Sequence, residues 1–250
     1  MKFSLIFLLF TNLLFPNKNI SISVFLTNAG QATSFQLVSF ENLSKPVFDT
    51  IVTNSELHFD LSDTINSGVY RVYFSYLSTI KMKPCVEYFD VIIDSTEKEI
   101  SLKYCLDGVN SFPEFLISEI NRNWFDYIKL KQIKQDEFNR IENFISNKDL
   151  FFVSEKYKSK AEFLKILKNE ISLLKNVFLD SNKNYWSSVM VIYMDKLNNI
   201  DSKTDESVFW DYFFSSDKRL LNTPIYEEIL KKYLHVYYFD YNKYYKNEIK

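Results

Sequence analysis

Glycine is the scarcest structural residue of this chain, with three in 250 positions: Gly30, Gly68 and Gly108. A phosphate-cradling loop, a dinucleotide-binding turn and a Gly-x-Ser-x-Gly nucleophile elbow each need closely spaced glycines, since their backbones leave no room for a Cβ. No such motif can be written, which argues against nucleotide chemistry. Histidine is equally sparse. His58 and His235 have no Cys or His at ligand spacing, so neither a zinc nor a haem site has its donors; His58 is expected on the solvent side of a strand and His235 at the edge of a helix packing. Two cysteines, Cys85 and Cys105, form no Cys-x-x-Cys. Charge of one sign is also lacking, with 30 basic against 32 acidic residues. A nucleic-acid binder needs a clustered excess of Lys and Arg to neutralise phosphates, so no nucleic-acid partner is expected. These absences leave no catalytic residue, metal ligand or cofactor to assign.

What is present is an ordinary globular composition, 46% hydrophobic and 25% charged, in a length suited to one or two domains. The 17 Tyr and 24 Phe, with plentiful Asn and Lys, read as genome bias. The chain opens with Met1, Lys2 and an apolar run from Leu5 to Phe15, too short for the roughly 20 residues of a spanning helix. A positive start and a short apolar segment are the layout of a secretory signal. No small-x-small pattern lies between Phe15 and Asn19, so residues 1–19 are read as a signal peptide or a retained N-terminal anchor. No cysteine follows the run to support a lipoprotein anchor. Either form places the protein in the periplasm or cell envelope, with membrane contact only through that segment if it is uncleaved.

From residue 20 the hydrophobic period is two. Ile20, Ile22, Val24 and Leu26 alternate with polar residues, as do Leu57, Phe59 and Leu61, and Tyr70, Val72, Phe74 and Tyr76. Such alternation marks half-buried antiparallel strands. Turn signals at 28–30, 42–46, 66–68 and 94–98 space them as in a β-sandwich of six to seven strands. After Gly108 the period becomes helical. Ser111, Pro113 and Glu114 are read as a helix start, with Leu116, Ile120, Trp124, Ile128, Phe138, Ile141 and Ile145 along one face and a polar break at 129–135. A third segment carries Phe163, Leu167, Ile171, Leu174 and Phe178. A fourth carries Trp186, Met190, Tyr193 and Leu197. The expected class is therefore α+β: an N-terminal antiparallel β-sandwich domain over 20–108, then an α-helical bundle domain over 109–250.

The stretch from Val208 to Tyr238 holds the clearest helix start. Pro224 suits the first helical position, with Thr223 as N-cap and Glu227 and Glu228 near the positive end of the dipole. Tyr226, Ile229, Leu230, Tyr233, Val236 and Tyr237 then form one apolar stripe, whose dock is the aromatic group Phe209, Trp210, Phe213 and Phe214. This is read as core rather than as a ligand groove. The Tyr- and Lys-rich tail, 237–250, is interrupted by Asp240 and Glu248 and is read as a frayed terminal helix.

The residues from Trp210 to Leu234, centred on SSDKRLLNTPIYEEILKKYL, resemble a segment in the helical middle region of Bacteroidota-type thiol:disulfide interchange proteins. There an aromatic-Asp-aromatic-Phe stretch leads into Ser-Asp-x-Arg-Leu-Leu-x-Thr-Pro and a helix carrying Tyr-Leu; here these are Trp210 to Phe214, Ser216 to Leu221, Thr223, Pro224, Tyr233 and Leu234. Leu57 to Phe74, with Gly68 and Tyr70, is similar to the family's β-domain signature. The resemblance implies an export signal, a small β-domain of unknown function and this helical region. The family's C-terminal thioredoxin-like domain with its Cys-x-x-Cys has no counterpart, since the sequence given ends at Lys250.

Two functions follow as expectations. The first is a non-catalytic exported interaction module with a protein partner in the envelope, such as a thioredoxin-like protein. The second is a component of a thiol:disulfide oxidoreductase system whose thioredoxin-like domain is lost or supplied by another chain. The thiols bear on this choice. Read as a hairpin around 94–99, strands 85–93 and 100–106 place Cys85 and Cys105 on opposite faces, unable to meet the roughly 7 Å Cα limit of a disulfide. Limited proteolysis is expected to cut the chain near 107–111 or within 198–205, releasing separate β and α fragments on a gel.

Overall fold

The computed structural model describes residues 19–28, 33–40, 45–62, 65–108, 112–146, 155–182, 184–200, 205–213 and 218–239. The chain divides into two compact units, Met1–Glu119 and Ile120–Lys250. Two four-stranded sheets come first, then helices.

The first unit holds β1 (Ile20–Thr27), β2 (Thr33–Ser39), β3 (Pro46–Val52), β4 (Glu56–Leu61), β5 (Gly68–Leu77), β6 (Pro84–Ile93), β7 (Glu99–Cys105) and β8 (Glu114–Ile117). One sheet has the order β4-β1-β7-β8 and the other β3-β2-β5-β6. Pairing is antiparallel except between β1 and β7, which run parallel with Ile22 opposite Ile100 and Val24 opposite Leu102. That parallel pair departs from the wholly antiparallel arrangement expected. Alternating apolar residues on both strands still share one buried face, which is what a period of two specifies; it is silent on strand direction.

Two further expectations are corrected. Strands β6 and β7 are not a hairpin, because β6 pairs along ten residues with β5 while β7 lies between β1 and β8 in the other sheet. The 94–98 turn therefore carries the chain from one sheet to the other. Nor does a helix start at Ser111–Glu114. Residues 114–117 form β8, with Phe115 buried opposite Leu102 and Leu116 and Ile117 exposed. Four residues give too few positions to separate period two from 3.6, and pairing with β7 decides the outcome. The sheet-bearing unit thus passes Gly108 and reaches Glu119. Its core is aromatic, and rings from the two sheets touch. Phe48 stacks on Phe59 at 4.0 Å and Phe74 on Tyr104 at 5.3 Å, contacts worth about 0.5–1.5 kcal/mol each beyond their buried area.

In the second unit the helices are α1 (Glu119–Ser146), α2 (Glu155–Ser181), α3 (Tyr185–Asn198), α4 (Glu206–Phe213) and α5 (Pro224–Tyr233). A 3-10 turn (Lys218–Asn222) precedes α5 and a π-helical turn (Leu234–Phe239) extends it. α1 is unbroken through 129–135. It contains neither Pro nor Gly, and its polar middle finds partners: Lys134 pairs with Glu170 of α2. Tyr127 and Phe178 stack at 4.4 Å to join the same two helices. α3 starts where Asn184 Oδ1 accepts the backbone N–H groups of Trp186 and Ser187, satisfying two of the donors a helix leaves open.

Pro224 does open α5, but Thr223 does not cap it with its side chain. Its hydroxyl donates to the Leu220 carbonyl at 2.8 Å. Phe209 and Phe213, four residues apart on one face of α4, are buried. The Phe209 ring meets Tyr233 of α5 at 5.3 Å. Trp210 lies about 100° further round the helix and is 44% exposed, edge-on to Tyr233. It is a rim residue rather than the core anchor expected. On α5, Ile229 is buried as expected, whereas Leu230 is exposed and Ile225 is buried instead. Phe214 lies outside the described residues.

Phe209→Ala is expected to lower unfolding free energy by about 3–5 kcal/mol, since it empties a fully buried ring site. Trp210→Ala is expected to cost under about 2 kcal/mol, as half its area is already wet. Urea unfolding of both variants measures the difference.

Candidate functional site

The residues flagged by the sequence do not converge. His58 is exposed, accepts or donates at Ser23 Oγ (2.8 Å) and stands edge-on to Phe25. His235 is exposed in the π-helical turn. Glu227 and Glu228 both pair with Lys231 at 2.9 Å on the helix surface, with the Lys231 value raised by Glu228 and Glu227. Cys85 and Cys105 are free and half-buried on different sheets. The Cys105 thiol takes an Asn28 side-chain N–H at 3.4 Å. Residues 1–18 and 240–250, which carry the export segment and most of the tail, lie outside the described residues. Among the described residues no group of three His, Cys, Asp or Glu could hold a metal ion, and no helix is long and apolar enough to cross a membrane.

A polar group that links both sheets is one the sequence reading missed. The inward parity of β6 that buries Phe89 and Val91 also turns Glu87 inward, where its carboxylate takes the Tyr76 hydroxyl at 2.5 Å and the Tyr104 hydroxyl at 3.0 Å. The Tyr76 oxygen also accepts the Asp107 backbone N–H at 3.1 Å. Burial, then Glu87, pushes the Tyr76 phenol far above its ordinary value. Asp107 sits below the usual carboxylate range: burial opposes its charge, but Ser78, Tyr76 and Lys81 together outweigh it. A phenol beside a carboxylate could in principle move a proton. Here Tyr76 and Tyr104 are both nearly sealed from solvent, and the group joins β5, β6 and β7 as a clasp.

The clasp holds one end of the unit. Asn28, Met82 and Asp107 all have left-handed backbones (φ 62°, 52° and 61°), a conformation that costs about 1–2 kcal/mol for a residue such as methionine. Ser78 is tied to the hairpin by its N–H to the Lys83 carbonyl and by the Lys81 N–H to its own hydroxyl. The tip so fixed presents Ile80 at 69% and Met82 at 81% exposure.

From that tip an exposed face runs across the second sheet. Cross-strand register places Ile51, Ser34, Ser75 and Val86 in one row and Asp49, Gln36, Tyr73 and Tyr88 in the next. The Tyr73 and Tyr88 rings lie 5.8 Å apart. Arg71 grips Asp90 with two bonds, 2.7 and 3.0 Å, and stacks on Tyr88 at 4.5 Å and Phe40 at 4.9 Å. Burial disfavours its charge, but Asp90 outweighs this and raises the Arg71 value further. Val86 and Tyr88 are more than half exposed, as are Ile51 and Leu77. The corresponding positions of the other sheet are mostly polar, Ser21, Ser23, Thr27, His58, Asp60, Ser101 and Lys103, with Phe25 and Cys105 half-buried among them and Ile117 exposed opposite Ser101. The signal was in the sequence: β6 carries Val86 and Tyr88 on the parity opposite Phe89 and Val91, so it is apolar on both faces.

No protein-family model, curated protein or solved structure matches this chain.

The clasp makes stability pH-dependent. Tyr76 stays protonated in the fold to a higher pH than in the unfolded chain, so its contribution is complete below pH about 10 and falls as pH rises beyond it. Tyr76→Phe, which removes one of the two hydroxyls donating to Glu87 and the acceptor of the Asp107 N–H, is expected to cost about 1–3 kcal/mol at neutral pH and to flatten the loss above pH about 10. Urea melts between neutral and alkaline pH measure both.

Proposed function

We propose that this chain is an exported, non-catalytic interaction module of the cell envelope, its two sheets forming a β-sandwich and its helices a bundle. The observation that carries this reading is the face of the second sheet, where Tyr73, Tyr88, Val86, Ile51 and the Arg71–Asp90 pair lie together at the surface. Tyr and Arg in a partly desolvated patch are the residue types that dominate protein–protein binding energy.

Export rests on the positive, short apolar start of residues 1–19. Kinship with the N-terminal and middle regions of thiol:disulfide interchange proteins rests on the Trp210–Leu234 resemblance, and a thioredoxin-like protein is the partner it suggests. The thiols weigh against redox work by this chain itself, because Cys85 and Cys105 stand on separate sheets and neither lies at a helix start, where a thiolate is favoured.

Placing a photo-crosslinking residue at Tyr88 is expected to give one discrete adduct in the envelope fraction, abolished by Val86→Glu. The same residue at Lys103, on the other sheet, is expected to give none. Equal labelling from both positions, or recovery of the protein only in the cytoplasmic fraction, would count against the proposal.

A further inference from the structure

Three lysines line a cleft of the helical unit that the sheet-face reading leaves unused. The cleft, of about 360 Å³, lies where α1, α2 and α3 come together, and Lys131, Lys168, Lys175 and Asp195 supply its charges. Three ammonium groups against one carboxylate leave two positive charges. The carboxylate is already engaged, since Lys175 Nζ is 2.8 Å from Asp195 Oδ2. Lys131 stands 6.0 Å from the centre of the Tyr127 ring. Burial holds Lys131 below its ordinary value, Asp195 opposing and Lys175 adding to the effect. Tyr127, Phe138 and Ile171 give the cleft apolar walls, with Gln135 as a neutral hydrogen-bonding group. Like charges drawn into a half-buried site cost free energy, which an anion placed among them would relieve. An inorganic ion would leave the apolar walls in contact with water.

We propose that this cleft binds an organic dianion with an apolar body, Lys131 and Lys168 taking the charged group and Tyr127, Phe138 and Ile171 covering the rest. The inference rests on the helical unit alone and is independent of export or of a partner on the sheet.

Calorimetric titration of the full chain tests it with three probes: 1-naphthyl phosphate, inorganic phosphate and 1-naphthol. Naphthyl phosphate is expected to bind saturably at one site and more tightly than either of the others. Lys131→Gln is expected to weaken it by roughly tenfold or more, the worth of one charge-assisted hydrogen bond, while Lys45→Gln on the other unit changes nothing. Thermal melting of Lys131→Gln is expected at or above the parent temperature, because repulsion from Lys175 is removed. Should that variant fail to fold, Lys168→Gln at the exposed rim decides the matter by the same loss. No saturable binding up to about 1 mM, naphthol binding as tightly as its phosphate, or parent-like affinity in folded lysine variants would overturn the proposal.

Discussion

The inward carboxylate of Glu87 is the constraint on which the first unit depends. A carboxylate turned into an aromatic core is tolerated only when its lone pairs are taken, and Tyr76 and Tyr104 take them. Because Tyr76 comes from β5 and Tyr104 from β7, the same carboxylate bonds the two sheets to each other. Tyr76 then holds the backbone of Asp107, and Asp107 in turn fixes Ser78 and Lys81. One half-buried carboxylate is thereby linked, through Tyr76 and Asp107, to the hairpin that presents Ile80 and Met82.

Strand β6 works on both faces. Its inward residues, Glu87, Phe89 and Val91, build the clasp and the core, while Val86, Tyr88 and Asp90 supply the exposed face. The Arg71–Asp90 pair sits half-buried within that face. A bidentate ion pair stacked between two rings loses less freedom than a lone surface pair and is better ordered for recognition. In the helical unit, order comes from ring contacts that pass from helix to helix, Trp124 and Tyr127 to Phe178, Tyr193 to Phe213 and Phe209 to Tyr233. Polar residues of α1 and α2 fill the remaining space, and the lysine cleft is the place where they do so without enough carboxylates.

Much of this was legible in the residues. Period two over Ile20–Leu26 and Tyr70–Tyr76 identified strands and their buried parity, because side chains alternate strictly across a sheet. Pro224 marked the start of α5, since its ring pre-sets the first helical φ and its missing N–H costs nothing there. The apolar second face of β6 was visible as well, though only as an imperfection in the alternation.

What local pattern could not decide was partnership. Pairing β6 with β5 rather than β7, running β7 parallel to β1 and drawing 114–117 into the sheet all depend on contacts between residues distant in sequence. Periodicity reports which face of an element is dry, and nothing in it reports the neighbour that dries it. The sites follow the same rule. Glu87 reads as an ordinary polar residue of a strand until Tyr104 is known to lie across from it, and Lys131, Lys168 and Lys175 read as solvated helix positions until they are seen to line one cleft. The sequence by itself determined the buried parity of the period-two strands and the start of α5 at Pro224, because backbone and side-chain geometry act over a few residues. Only the tertiary structure decided which charges are buried and which aromatics stay exposed, because burial belongs to the packed whole.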